Sequence, residues 1–83
     1  MLVETADLFL GAVLLAHGGR LHGLSVSNGQ GRQRRVSVRI GGRGLDRIVD
    51  EYRGGTATVN ATRLKHELNH LKDLLFEELR RDG

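Results

Sequence analysis

The chain has 83 residues, a formal net charge of +3 and neither cysteine nor proline. That length makes one small domain with a marginal core, and the missing cysteine excludes disulfide staples, thiolate metal sites and a cysteine nucleophile. Self-association is then the most available added support, and the composition fits a reducing, cytoplasmic setting.

Thr5 reads as a helix N-cap, with Asp7 favourably placed in the first turn. Leu8 to Ala16 then reads as a helix, stopped by Gly18-Gly19. The run is about half the roughly 20 residues that a spanning helix needs, so no membrane partner is expected. It is also a poor signal peptide: Glu4 and Asp7 precede it instead of Lys or Arg, and Gly18-Gly19-Arg20 is a poor cleavage site. The helix is apolar nearly all round and needs cover on most sides. In so short a chain part of that cover is expected from a second copy. The candidate self-association residues are Leu8, Phe9, Ala12, Val13, Leu15 and Ala16, in a homo-oligomer whose simplest form is a dimer.

Arg20 to Ile40 reads as a hairpin. Leu24 and Val26 alternate with Ser25 and Ser27, and Val36, Val38 and Ile40 alternate with Arg35, Ser37 and Arg39. Asn28-Gly29-Gln30-Gly31 supplies the turn. One face is therefore aliphatic and the other polar and cationic. After the Gly41 to Gly44 connector, Leu45, Ile48, Val49 and Tyr52 fall at helical spacing, ended by Gly54-Gly55. Thr56 to Val59 is expected as a brief third strand. Asn60 caps a last helix to about Arg81, with a core stripe of Ala61, Leu64, Leu68, Leu71, Leu75 and Leu79. The expectation is a single α+β domain over residues 1–83, in the order α-β-β-α-(β)-α, with an antiparallel hairpin packed against helices.

The charge is unevenly placed. Leu8 to Leu45 contains no Asp or Glu, while Arg20, Arg32, Arg34, Arg35, Arg39 and Arg43 all lie within it. Such a field attracts phosphate or carboxylate surfaces, and the planar guanidinium fork suits phosphate. Those six arginines are the candidate nucleic-acid contacts. Phe9, Tyr52 and Phe76 are the only aromatic residues and read as core, so single-strand stacking has no platform. Contact with the nucleic-acid backbone is the form left. The bland alternative is that arginine on exposed strands guards against edge-to-edge aggregation.

His66-Glu67-Leu68-Asn69-His70 matches H-E-x-x-H, the helical pattern of two zinc-binding imidazoles and a general-base carboxylate. No third ligand follows at metalloprotease spacing, and helical geometry puts His66 and His70 opposite the leucine stripe. They are weak metal candidates on a solvated face. No phosphate-binding loop and no nucleophile elbow occur, so no catalytic residue and no cofactor are assigned.

The opening Thr5-Ala6-Asp7-Leu8-Phe9-Leu10-Gly11-Ala12-Val13-Leu14-Leu15-Ala16-His17-Gly18 resembles the start of a small domain family of unknown function in bacteria and their phages. The strand after Arg35, the Leu45 to Tyr52 helix, and Val59 with the helix through Leu75-Phe76 share in the resemblance. It spans nearly the whole chain and implies no activity, cofactor or functional residue. A looser likeness is to small RNA-binding toxins and double-stranded-RNA-binding folds, which also run helix, hairpin, helix. The toxin pattern's Gly-Ser-His is absent, with Gly31-Arg32-Gln33-Arg34 in its place, so no RNase residue carries over. The expected function is a non-enzymatic binding or regulatory module that contacts a nucleic-acid backbone through the hairpin arginines. The alternatives are a protein-interaction module, such as a phage accessory or inhibitor with an acidic protein as target, and more distantly a metal-dependent hydrolase on His66, Glu67 and His70.

Overall fold

Three strands form one antiparallel sheet in the order β1-β3-β2, so the last strand in sequence is the central one. The computed structural model describes residues 1–28 and 34–81, and the backbone alone for 27, 28, 34, 35 and 81. Its elements are β1 (Leu2–Thr5), α1 (Leu8–Ala16), β2 (Arg20–Asn28), β3 (Arg34–Gly41), α2 (Leu45–Arg53) and α3 (Ala61–Arg81). The protein is a small α+β domain with helices packed on an antiparallel sheet. Among the described residues no helix is long and apolar enough to cross a membrane.

Helix α1 lies at the centre of the packing, against α3, β3, α2 and β1. Its burial explains its sequence. Leu10 through Ala16 are all buried, and the core continues through Val38 and Ile40 of β3, Leu45, Ile48 and Val49 of α2, and Leu71 of α3. The closeness shows at Gly11, where a β-carbon would stand 3.0 Å from Val38 Cγ2 on one side and 3.4 Å from Leu71 Cδ1 on the other. Cover for the all-round apolar helix thus comes from its own chain. That corrects the candidate self-association surface: Ala12, Val13, Leu15 and Ala16 are buried, Leu8 is half-buried, and only Phe9 is exposed.

The N-terminus differs from the sequence expectation in two ways. Residues 2–5 form a strand, pairing Leu2 with Gly41, Val3 with Ile40, Glu4 with Arg39 and Thr5 with Val38. The helix cap is Asp7, not Thr5: Asp7 Oδ1 accepts from Phe9 N at 3.0 Å and Leu10 N at 3.3 Å. Thr5 is instead the last residue of β1, and its hydroxyl accepts from Asp7 N at 3.0 Å. The third strand is therefore β1, and Thr56 to Val59 is not a strand. Thr56 N and Ala57 N instead donate back to Glu51 O at 2.8 and 3.1 Å.

The expected hairpin forms with Val26 opposite Val36 and Leu24 opposite Val38, with a bulge between Leu21 and Gly23. The proposed turn residues Gly29, Gln30 and Gly31 lie outside the described residues. Asn60 Oδ1 accepts from Arg63 N at 3.0 Å and so caps α3. The leucine stripe of α3 is only partly core: Leu71 is fully buried, Leu64, Leu68, Leu75 and Leu79 are half-buried with only Leu64 and Leu68 packed against the core cluster, and Ala61 is exposed.

Candidate functional site

Val38 and Ile40 point from β3 into the core, so Ser37 and Arg39, alternating with them, take the opposite face of the sheet. Arg39 is exposed, and the register sets it beside Glu4 of β1 and Gly23 of β2. A β-carbon at Gly23 would meet Arg39 Nη2 at 2.9 Å, so the guanidinium lies across β2 at the one position with no side chain in its way. The bulge adds His22 to this end of the sheet. A β-carbon at Gly41 would come within 2.6 Å of His22 Nε2, which places the imidazole over Gly41. Arg20, opposite Gly41, is exposed, as is Arg43 just beyond the strand.

The result is a face with cationic and hydrogen-bonding groups from two strands. It offers N–H donors to oxyanions. It also holds a carboxylate that the sequence pattern did not place there: Glu4 Oε1 accepts from Ser37 Oγ at 3.2 Å. The acid-free stretch from Leu8 to Leu45 thus folds against an acidic residue of β1.

Of the six candidate arginines, Arg20, Arg39 and Arg43 are exposed toward the bulge end of the sheet. Arg34 and Arg35 occupy register positions opposite Asn28 and Ser27, with only the backbone described, and Arg32 lies outside the described residues. Strand order bears on the aggregation reading. β3 is hydrogen-bonded on both sides, so Arg39 guards no edge, whereas Arg20 on β2 is an edge residue.

On the helical side, His66 and His70 are exposed on α3 with Glu67 half-buried between them. Among the described residues no group of three His, Asp or Glu side chains is placed to share a metal ion. His17 has a different role. Its Nε2 donates to Thr58 O at 2.7 Å and ties the end of α1 to the segment before α3, beside a cavity of about 310 Å³ lined by Ala16, Val59, Asn60 and Arg63.

Two aromatic residues read as core are exposed: Phe9 by 55% and Phe76 by 63%. Both lie on helices that pack on the side of the sheet away from Arg39, so they add no stacking platform to the cationic face. Phe76 borders a groove of about 430 Å³ lined by Leu8, Lys72, Leu75 and Leu79. The i, i+3, i+4, i+7 spacing of Lys72, Leu75, Phe76 and Leu79 was the available signal for a second stripe. Compared with protein-family models, curated proteins and solved structures, the chain matches none of them.

Proposed function

We propose that the protein is a non-enzymatic binding module whose helix-free sheet face contacts a nucleic-acid backbone. The observation that carries this reading is Arg39: an exposed guanidinium on the central strand, laid over Gly23, in the company of Arg20, His22 and Arg43. Edge protection does not account for a cation on a strand paired on both sides. Phosphate accounts for it, because guanidinium groups form charge-assisted, forked hydrogen bonds to phosphate oxygens. The hairpin strand carrying Arg34 and Arg35 extends the same stretch of chain. A cytoplasmic location belongs to this reading, supported by the absence of cysteine.

Recognition is expected to be of backbone and not of sequence, since no aromatic stacks from this face and the sheet presents no recognition helix. The test is fluorescence anisotropy with duplex DNA, duplex RNA and single-stranded RNA of equal length over a salt series. With three or four phosphates neutralised, the slope of log K against log salt on duplex DNA is expected near −3, at about −0.9 per phosphate. Replacing Arg35 and Arg39 by Gln should reduce its magnitude by nearly two units. No binding to any probe at low salt would overturn the proposal and favour a docking face for an acidic protein.

A further inference from the structure

We infer that the outward face of α3 binds a zinc ion between two copies of this chain, with His66 and His70 of each copy as its four ligands. This site is on the helical side of the protein and does not depend on the sheet face. Arg63, His66, His70 and Asp73 are all exposed. At about 100° per residue they share an arc of about 80°, centred roughly 150° from the ridge of Leu64, Leu68 and Leu71 that packs into the core. The two imidazoles lie one turn apart, so their β-carbons are about 6 Å apart and both rings can reach one ion. α3 runs from Ala61 to Arg81, which keeps this spacing clear of either helix end. Among the described residues no third His, Asp or Glu joins them on the same chain. One chain therefore offers two ligands where a structural zinc takes four in a tetrahedron. A shell closed by four imidazoles leaves no position for a substrate or an activated water, so the H-E-x-x-H pattern here holds metal without hydrolysis.

The charges beside the imidazoles suit a second copy of the chain. Arg63 stands three residues before His66, and Asp73 three residues after His70. An antiparallel two-fold pairing that sets His66 of one copy against His70 of the other therefore also sets Arg63 against Asp73, once on each side of the ion. A parallel pairing would set Arg63 against Arg63 and Asp73 against Asp73, and is disfavoured. The other described charges near this stripe are Glu77 and Arg80, both exposed. In the antiparallel pairing Glu77 comes to the start of the opposite α3, where the helix dipole favours a carboxylate, and Arg80 passes beyond it. Lys65, Glu67, Lys72 and Glu78 lie about 80° or more from the centre of the stripe. The stripe is polar from Arg63 to Glu77, so association depends on the ion.

The experiment is sedimentation velocity and titration calorimetry of the full chain with zinc chloride or with EDTA. Zinc should double the sedimenting mass, with one ion bound per pair of chains, and EDTA should restore the monomer. His66→Ala combined with His70→Ala should abolish both the mass change and the zinc uptake. Both side chains are exposed, so the unfolding midpoint of that variant in EDTA should match the wild type. Asp73→Arg alone, or Arg63→Asp alone, should weaken zinc-dependent association at least about fivefold, and the two changes together should restore it. One ion bound per chain with no change in mass would mean an adventitious ion only and would overturn the inference. A dimer that persists in EDTA or in the double histidine variant would overturn it too, by assigning association to another surface. So would a monomer that takes up no zinc, or charge reversals that leave association unchanged.

Discussion

Tyr52 donates its phenolic hydrogen bond to Asp7 Oδ2 at 2.9 Å, while the other oxygen of the same carboxylate caps α1. One side chain therefore fastens the last turn of α2 to the first turn of α1. The arrangement uses both oxygens of Asp7 and orients α2 against the helix that fills the core.

The two bonds should be energetically coupled. Tyr52→Phe removes only the hydroxyl and is expected to cost about 0.5–1 kcal/mol, the lower part of the range because the bond is solvent-accessible. Asp7→Ala removes the cap as well and should cost about 1–2 kcal/mol. In a denaturant-unfolding double-mutant cycle, the double variant should fall short of the sum by at least about 0.5 kcal/mol. Strict additivity would mean that the Tyr52 bond contributes nothing measurable.

The same pair sets an alkaline limit. The Tyr52 phenol is raised above its ordinary value of 10.0, first by burial, then by the hydrogen bond to Asp7 and by that carboxylate's charge. All three favour the neutral phenol in the folded state. The folded protein then holds this proton at pH values where the unfolded chain has lost it, so stability falls as pH rises. The contribution should be fully present below pH 10 and lost as pH rises through the raised folded value. Absorbance titration at 295 nm should show late ionisation of this one tyrosine. Unfolding midpoints between pH 9 and pH 11 should decline more steeply in the wild type than in Tyr52→Phe; parallel declines would refute the assignment.

The core prediction concerns the place where α1 is pressed between β3 and α3. Leu71 is fully buried, and Leu71→Ala should cost about 2–5 kcal/mol by lost burial and the cavity left behind. Gly11→Val pushes the other way, into Val38 and Leu71, and should cost about 1–3 kcal/mol by overpacking. Both are measured by chemical denaturation. If Gly11→Val were neutral, the close approach at Gly11 would not exist in solution.

Periodicity carried the local structure well where an element was long. The alternation through Val36, Val38 and Ile40 and the spacing of Leu45, Ile48 and Val49 led to β3 and α2, because each buries one face. β1 escaped because four residues give too little alternation to register, and its partner lies in β3, far along the chain. The apolar surface of α1 was legible, but its cover was not. Whether a second copy or the chain's own sheet and helices enclose it depends on how closely Gly11 lets β3 and α3 approach. Phe76 failed for a related reason. Its place beside a leucine stripe suggests core, but burial depends on how far α1 reaches along α3. At the sheet face, the strand arginines were readable, whereas the arrival of Glu4 beside Arg39 required the β1 register.

That arrival gives the sharpest test of the sheet face. Glu4 is exposed, sits opposite Arg39 in register and accepts from Ser37, so its negative charge lies within the surface proposed to hold phosphate. A unit charge about 4 Å from another interacts by about 1 kcal/mol in water, which corresponds to roughly fivefold in affinity and diminishes with salt. Glu4→Gln keeps the shape and an acceptor for Ser37 while removing the charge. It should therefore strengthen nucleic-acid binding by about two- to fivefold at low salt, with a smaller gain at high salt. Arg39→Gln should weaken binding, and the double variant should bind close to the wild type. Backbone pairing of β1 with β3 does not involve this side chain, so the fold and thermal midpoint should be little changed. Unchanged affinity in Glu4→Gln, in a protein that does bind nucleic acid, would place the contact away from this end of the sheet and leave the residues around Arg34 and Arg35 to carry it.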